Sequence, residues 1–311
     1  MIGAVDIGGT KIAVGIVDKC GHLVTRAECP TGSVTGFADG MRRVTEMLTE
    51  CAQRCGATLQ GIGIGCTGPV DPFAGTVGDV YFLPGWQGGN PVQELSRAFG
   101  VSVAMENDAD AAVLAEAAWG AGHGKSKVVY VTISTGIGAG MTLDGRLYRG
   151  VAGGHPEPGH QIIEASGPPC PCGARGCWEA LAGGPAMVEW VRAQAPQSHA
   201  YPDLSAQMIC ERAQAGEEWA RRAVEREGFY IGIGLANLIT EFLPDVIVLG
   251  GGLLASAHLF LDRAREVIQQ NCRLVPFERV EIAVTSLGRD MGLIGAAQVW
   301  QHHFQHAGGS P

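Results

Sequence analysis

The chain has 311 residues, 46% of them hydrophobic and 17% charged, which is enough for two domains sharing a cleft and a sizeable core. Its net charge of −9 argues against nucleic acid as the main partner, because phosphate backbones are bound through Lys and Arg. No apolar run is long enough to span a bilayer and the start, MIGAVDIGGT, lacks the features of a signal peptide, so a cytoplasmic protein without a membrane partner is expected.

In chain order, residues 2–6 are apolar and β-prone, IGGT interrupts them, 12–17 resume the run, and Asp18 to Gly21 supply a turn before a third run at 22–27. Three consecutive antiparallel strands are predicted. A helix over 37–55, a strand at 60–65, a helix at 91–99, a strand at 101–105 and an alanine-rich helix at 108–119 follow. Residues 128–150 repeat the opening: strand, Gly-rich turn, strand, Asp-Gly turn, third strand. A long helix near 217–242, a strand at 245–249, a helix at 256–271, a strand at 280–285 and a last helix from 291 complete the pattern. A three-strand start followed by alternating helices and strands, present twice, predicts duplicated α/β domains. The boundary is expected near 118–127, giving domains 1–118 and 119–311, with the last helix free to return to the first domain. The HAGGSP end is expected to fray.

Asp6-Ile7-Gly8-Gly9-Thr10-Lys11 lies between two strands. Its glycines let backbone amides face an anion, Thr10 adds a hydroxyl, Lys11 adds charge, and Asp6 is placed to hold Mg²⁺ through water. A plain tight hairpin explains the same residues. The second copy, Ser134-Thr135-Gly136-Ile137-Gly138-Ala139-Gly140, strengthens the phosphate reading, because two such turns form a clamp on a polyphosphate. Gly250-Gly251-Gly252, between a strand and a helix, suits a ring or phosphate approaching the backbone, or simply a turn. None of these turns is a Walker sequence or a Rossmann GxGxxG with its downstream acid, which disfavours a dinucleotide oxidoreductase.

Of ten cysteines, seven are scattered and read as small buried hydrophobes. Cys170, Cys172 and Cys177 are crowded together, and with His160 they form H-x9-C-x-C-x4-C, a complete tetrahedral set for structural Zn²⁺. The stretch GPPCPCGARGC has little regular structure of its own, and a metal would supply its stability. Free thiols or a redox pair are the competing account.

Glu106-Asn107-Asp108 stands where a strand ends and a helix begins. Asn107 or Asp108 suits an N-cap; Asp108 equally suits a general base taking a proton from a sugar hydroxyl, with Asp110 as the rival base. Glu157 and Glu179 flank the metal loop and suit vicinal hydroxyls, or else a ligand-orienting and a helix-starting role.

In order, DIGGTK, CTGPVD, ENDADAA, STGIGAG, EPGH, CPCGARGCWE and VLGGG resemble the ROK family of sugar kinases and repressors over almost the whole chain. The resemblance implies a two-domain actin-like (ribonuclease H-like) ATPase fold with ATP and sugar in a central cleft, and often a homodimer. It implies ATP-dependent phosphorylation of a hexose, glucose first, with a fructokinase, an N-acetylmannosamine kinase or a non-catalytic sugar sensor as alternatives. It further implies Asp108 as base, with Asn107, Glu157, His160 and Glu179 on the sugar. Gly8 to Lys11 and Thr135 to Gly138 would hold phosphates, with Gly251 and Gly252 near adenosine. Repressor members carry an N-terminal DNA-binding module; with a first strand predicted from residue 2, none is expected here. Two departures stand out. His155-Pro156-Glu157 is closer to the fructokinases, whereas the complete cysteine set is not. In DVYFLPGW no Asn stands shortly before the Leu-x-x-Trp segment, where relatives commonly place one, so one expected sugar contact is either missing or supplied by Asp79.

Overall fold

Strand β4 (Gly61–Cys66, GIGIGC) shows how local sequence builds the first half of the molecule. Successive side chains on a strand point to opposite faces. Ile62, Ile64 and Cys66 therefore enter one hydrophobic core, with Val44 and Leu48 of helix α1 (Gly36–Arg54). The opposite face carries only glycines, and the last helix, α9 (Met291–Phe304), lies directly on it. A Cβ on Gly63 would fall 1.7 Å from the Ala296 carbonyl oxygen, and one on Gly61 would fall 1.9 Å from Trp300 Nε1.

The structure is a computed structural model that describes residues 1–304; the HAGGSP segment lies outside the described residues. Around β4 the first sheet has the order β3-β2-β1-β4-β7, with β1 at Ile2–Ile7, β2 at Lys11–Val17, β3 at Leu23–Pro30 and β7 at Ser102–Asn107. β1 to β3 are antiparallel, while β1, β4 and β7 run parallel. Register aligns Asp6 with Gly65 and Glu106, and Ile7 with Cys66 and Asn107, so the carboxyl ends of three strands emerge together. A small hairpin, β5 (Val70–Asp71) with β6 (Thr76–Val77), leads to α2 (Pro91–Phe99), and α3 (Asp108–Trp119) follows β7.

The second sheet has the order β10-β9-β8-β11-β12, with β8 at Lys127–Ile133, β9 at Ile137–Leu143 and β10 at Arg146–Leu147. The third strand of this repeat is thus only a stub. Helices α4 (Trp178–Leu181), α5 (Gly184–Gln194), α6 (Ala206–Gln214) and α7 (Glu218–Phe242) precede β11 (Val246–Gly250). The predicted helix at 256–271 is two pieces: a 3-10 segment, Gly252–Leu259, kinked at Ser256, and then α8 (Leu261–Asn271). β12 (Glu281–Val284) closes the sheet.

Two compact units result. One contains Met1–Ser126, Gly140–Pro156 and the chain from Thr285 onward; the other contains Lys127–Ala139 and Glu157–Val284. Among the described residues, no helix is long and apolar enough to cross a membrane.

Candidate active site

In the first unit, the β1–β2 turn is tied by the Gly8 amide donating to the Lys11 carbonyl (2.9 Å) and by Thr31 Oγ1 donating to the Gly8 carbonyl (2.6 Å). Phe82 covers Gly9 so closely that a Cβ there would lie 2.8 Å from its own Cβ. Thr10 is exposed, and Lys11 Nζ makes a loose surface pair with Glu28 at 3.9 Å. At the end of β1, burial pushes the Asp6 carboxyl up to about 6, with Asp108 adding to the shift and Lys11 opposing it. The first turn of α9 comes close here: a Cβ at Gly292 would fall 2.4 Å from Asp6 Oδ2.

The strand–helix junction separates the roles that the sequence left open. Asn107 Oδ1 accepts from the Ala109 amide at 2.8 Å and so caps α3. Asp108 Oδ1 accepts from the same amide at 2.8 Å, but its side chain is exposed. Although it reaches water, crowding by protein reduces its hydration and raises its carboxyl above the usual range, Asp110 adding and His155 opposing. Asp110 is buried and engaged: His155 Nδ1 lies 2.9 Å from its Oδ2. Burial raises the Asp110 carboxyl too, against the pull of that imidazole. Behind the junction, Glu106 is 1% exposed and pairs with Arg149 and with His303 Nε2, the latter at 2.6 Å. Arg149 also stacks on Phe73, 5.1 Å from the ring centre. Asp79 is exposed in the loop after β6.

In the second unit, the β8–β9 turn, the glycines after β11 and the loop that carries His160 and the three clustered cysteines converge. The Ser134 amide donates to the Gly136 carbonyl at 2.9 Å, and Thr135 is exposed. Gly251, at φ 95°, presses against the Ile133 backbone, where a Cβ would sit 2.4 Å from the carbonyl oxygen; Gly252 faces Ser134 Oγ. Glu179 Oε2 accepts from the Ile137 amide at 3.4 Å and fills the space a Gly136 side chain would need. Gly159 packs on the Ile137 carbonyl, with only 1.8 Å available to a Cβ, which draws the Glu157-Pro158-Gly159-His160 turn beside the β8–β9 turn. Glu157 is exposed, and its carbonyl accepts from the His160 amide at 3.0 Å.

One ligand atom from each of His160, Cys170, Cys172 and Cys177 lies within 4.8 Å of the others. His160 Nδ1 is 3.5 Å from Cys170 Sγ, and Cys172 Sγ is 3.6 Å from Cys177 Sγ. Tetrahedral ligands at zinc–sulfur bond lengths stand about 3.8 Å apart. The four donors therefore fit that ion in type and spacing.

The His155–Asp110 pair, the Glu106–Arg149–His303 cluster and the Gly292 approach had no signal in sequence spacing beyond the HPE motif, because each joins residues far apart in the chain.

Two three-strand repeats, each opening on a glycine turn and continuing into alternating helices and strands, define an α/β protein of the actin-like ATPase class. The chain belongs to the ROK family, whose model matches residues 2–303. A glucokinase of Thermotoga maritima is 31% identical over 304 residues, covering 95% of each chain. Among solved structures, a ROK hexokinase from Thermus thermophilus is similar at a TM-score of 0.83 and 33% identity, covering 98% of this chain and 99% of that one. A ROK glucokinase from Streptomyces griseus, in complex with glucose and AMPPNP, is similar at 0.80 and 29% identity, covering 96% and 98%.

Proposed function

We infer that the chain is an ATP-dependent hexose kinase that phosphorylates the terminal hydroxyl of glucose in preference to other hexoses. The observation that carries the catalytic assignment is the division of labour on α3: Asp110 is buried against His155, while Asp108 is exposed beside Asp6 and held above the usual carboxylate range. Asp108 takes the proton of the attacking hydroxyl as that oxygen bonds to the γ-phosphorus and the bond to the β,γ-bridging oxygen breaks, releasing ADP. Gly8 to Lys11 and Thr135 to Gly138 hold the phosphates, and Gly251 and Gly252 face the adenosine. Asn107, Glu157, His160 and Glu179 hold the sugar. The crowded carboxyl of Asp6, with Lys11 as its opposing charge, fits a Mg²⁺ ion held through water. That ion supplies charge neutralisation to the phosphates when bound. Zn²⁺ on His160, Cys170, Cys172 and Cys177 fits as the structural metal, leaving His160 Nε2 for a sugar hydroxyl. The protein acts in the cytoplasm as a homodimer.

The test is kcat/KM for glucose, mannose, fructose and N-acetylmannosamine with ATP under one set of conditions. Polar groups built for particular hydroxyls reject a sugar that leaves them unpaired, at about 1–3 kcal/mol each. Glucose is expected to lead. A clear preference for fructose overturns that choice and assigns specificity to His155-Pro156 instead of the metal loop.

A further inference from the structure

Helix α7 carries one carboxyl that neither the proposed chemistry nor the core requires. Glu227 is 0% exposed, on the face of α7 that turns inward. Its Oε1 accepts from the Gly183 amide at 2.7 Å, and its Oε2 is buried without a hydrogen-bond partner. Burial pushes this carboxyl up to about 8, against the opposing pull of the Gly183 amide and of Arg226. A buried polar atom left unpaired is a standing cost to folding, and an apolar residue at this helical position would avoid it.

The contacts of Gly183 show what that cost supports. Gly183 adopts φ 126°, in the region that favours glycine, and leads into α5. The next amide, Gly184, donates to the Ser134 carbonyl at 2.8 Å, on the β8–β9 turn. On the other side of the same turn, Glu179 of α4 accepts from Ile137. Residues 179–184 therefore grip the turn at two points. α7 in turn grips that segment through consecutive residues, since Arg226 donates to the Leu181 carbonyl at 2.8 Å while Glu227 holds Gly183.

We propose that Glu227 is a positioning residue for the nucleotide, fixing Gly183 and through it the 134–137 turn. The proposal rests on the reading that this turn holds the phosphates of ATP. Glu227 touches neither substrate. Its contribution is to hold the turn's carbonyl side still, so that Thr135 and the turn amides present to the phosphates without first being ordered.

Three variants and one exchange measurement test this. Glu227→Leu keeps roughly the volume of the side chain but removes the acceptor, and is expected to raise KM for ATP about tenfold, the loss of one buried hydrogen bond. Sugar affinity, measured by calorimetry without nucleotide, stays within about twofold. Glu227→Gln keeps an acceptor oxygen and is expected to restore KM for ATP. Thr135→Ala, in the turn itself, raises KM for ATP as well. Independently of any variant's folding, amide exchange at Gly183 and Gly184 in the wild-type protein slows with a non-hydrolysable ATP analogue and not with sugar alone. Equal changes in both affinities for Glu227→Leu, or no change, overturn the proposal, as does exchange at 183–184 that ignores the analogue. Unchanged ATP affinity in Thr135→Ala overturns the reading of the turn, and the role of Glu227 falls with it. Weakened binding in Thr135→Ala beside an unaffected Glu227→Leu overturns the role of Glu227 alone.

Discussion

The pair of substitutions Asp108→Asn and Asp110→Asn separates base from brace on one helix turn. In the first, the Ala109 amide keeps Asn107 as its cap, and the new amide oxygen is itself an acceptor. Stability is expected to change by about 0.5 kcal/mol or less, as for other exposed sites. Turnover is expected to fall by about 10²–10⁴, the usual worth of a general base, while sugar affinity stays within a few-fold. In the second, the side chain is 3% exposed and faces His155 at 2.9 Å. Breaking a buried charge pair costs about 3–5 kcal/mol, and the lower end applies because an amide oxygen still accepts from an imidazole. For a domain of this size that lowers Tm by roughly 10 °C. Turnover per folded molecule should stay within about tenfold. The assay is initial rate of sugar-phosphate formation at saturating ATP, with thermal melts on the same preparations. Near wild-type turnover in folded Asp108→Asn, with loss in Asp110→Asn, would reverse the assignment and refute the reasoning from exposure.

Three further outcomes are expected. Metal analysis should find one zinc per chain, less of it in Cys172→Ser, and weaker sugar binding after its removal; full activity in a verified zinc-free sample would sink the link through His160. The proposed mechanism needs Asp6 and Asp108 ionised, so kcat/KM should decline as pH falls through about 6. The stability effect has the opposite sign: a raised carboxyl favours folding below its unfolded pKa and loses that contribution as pH rises through its folded one. For Glu227 the window runs from the ordinary carboxylate range to about 8, and Glu227→Gln should flatten the dependence of Tm on pH there. Finally, Gly63→Ala should cost on the order of 3 kcal/mol, because its methyl group meets the backbone of α9 and not a side chain that can turn away; an unchanged melt would mean that α9 shifts freely.

The strands of both repeats were legible because apolar runs broken by Gly and Asp state their own ends. The clustering of His160, Cys170, Cys172 and Cys177 was legible because residue type and close spacing carry it. Helices α5 and α6 escaped notice: Gly183, Gly184 and Pro185 look like loop, and the intervening stretch from Pro196 to Ser205 offers no periodicity. The 3-10 segment from Gly252 escaped for a related reason, its apolar residues satisfying a helical pattern that the kink at Ser256 interrupts. Glu227 reads as one more charge in the run Glu225-Arg226-Glu227, and only burial reveals it. His155 and Asp110 meet across α3 and the strands β8 to β10, a tertiary contact that no local rule predicts.

The return of α9 to the glycine face of β4 has a consequence for the chain's synthesis. Residues at the start emerge from the ribosome first, yet the floor beneath Asp6 and the cover over Gly61 and Gly63 arrive with residues 291–304. Until then one face of the first sheet waits uncovered, while the unit spanning Lys127–Ala139 and Glu157–Val284 is already complete in sequence. The nascent protein thus finishes its second unit before its first. A chain released early, short of α9, would carry every proposed catalytic and metal-binding residue and still lack a closed core around Asp6.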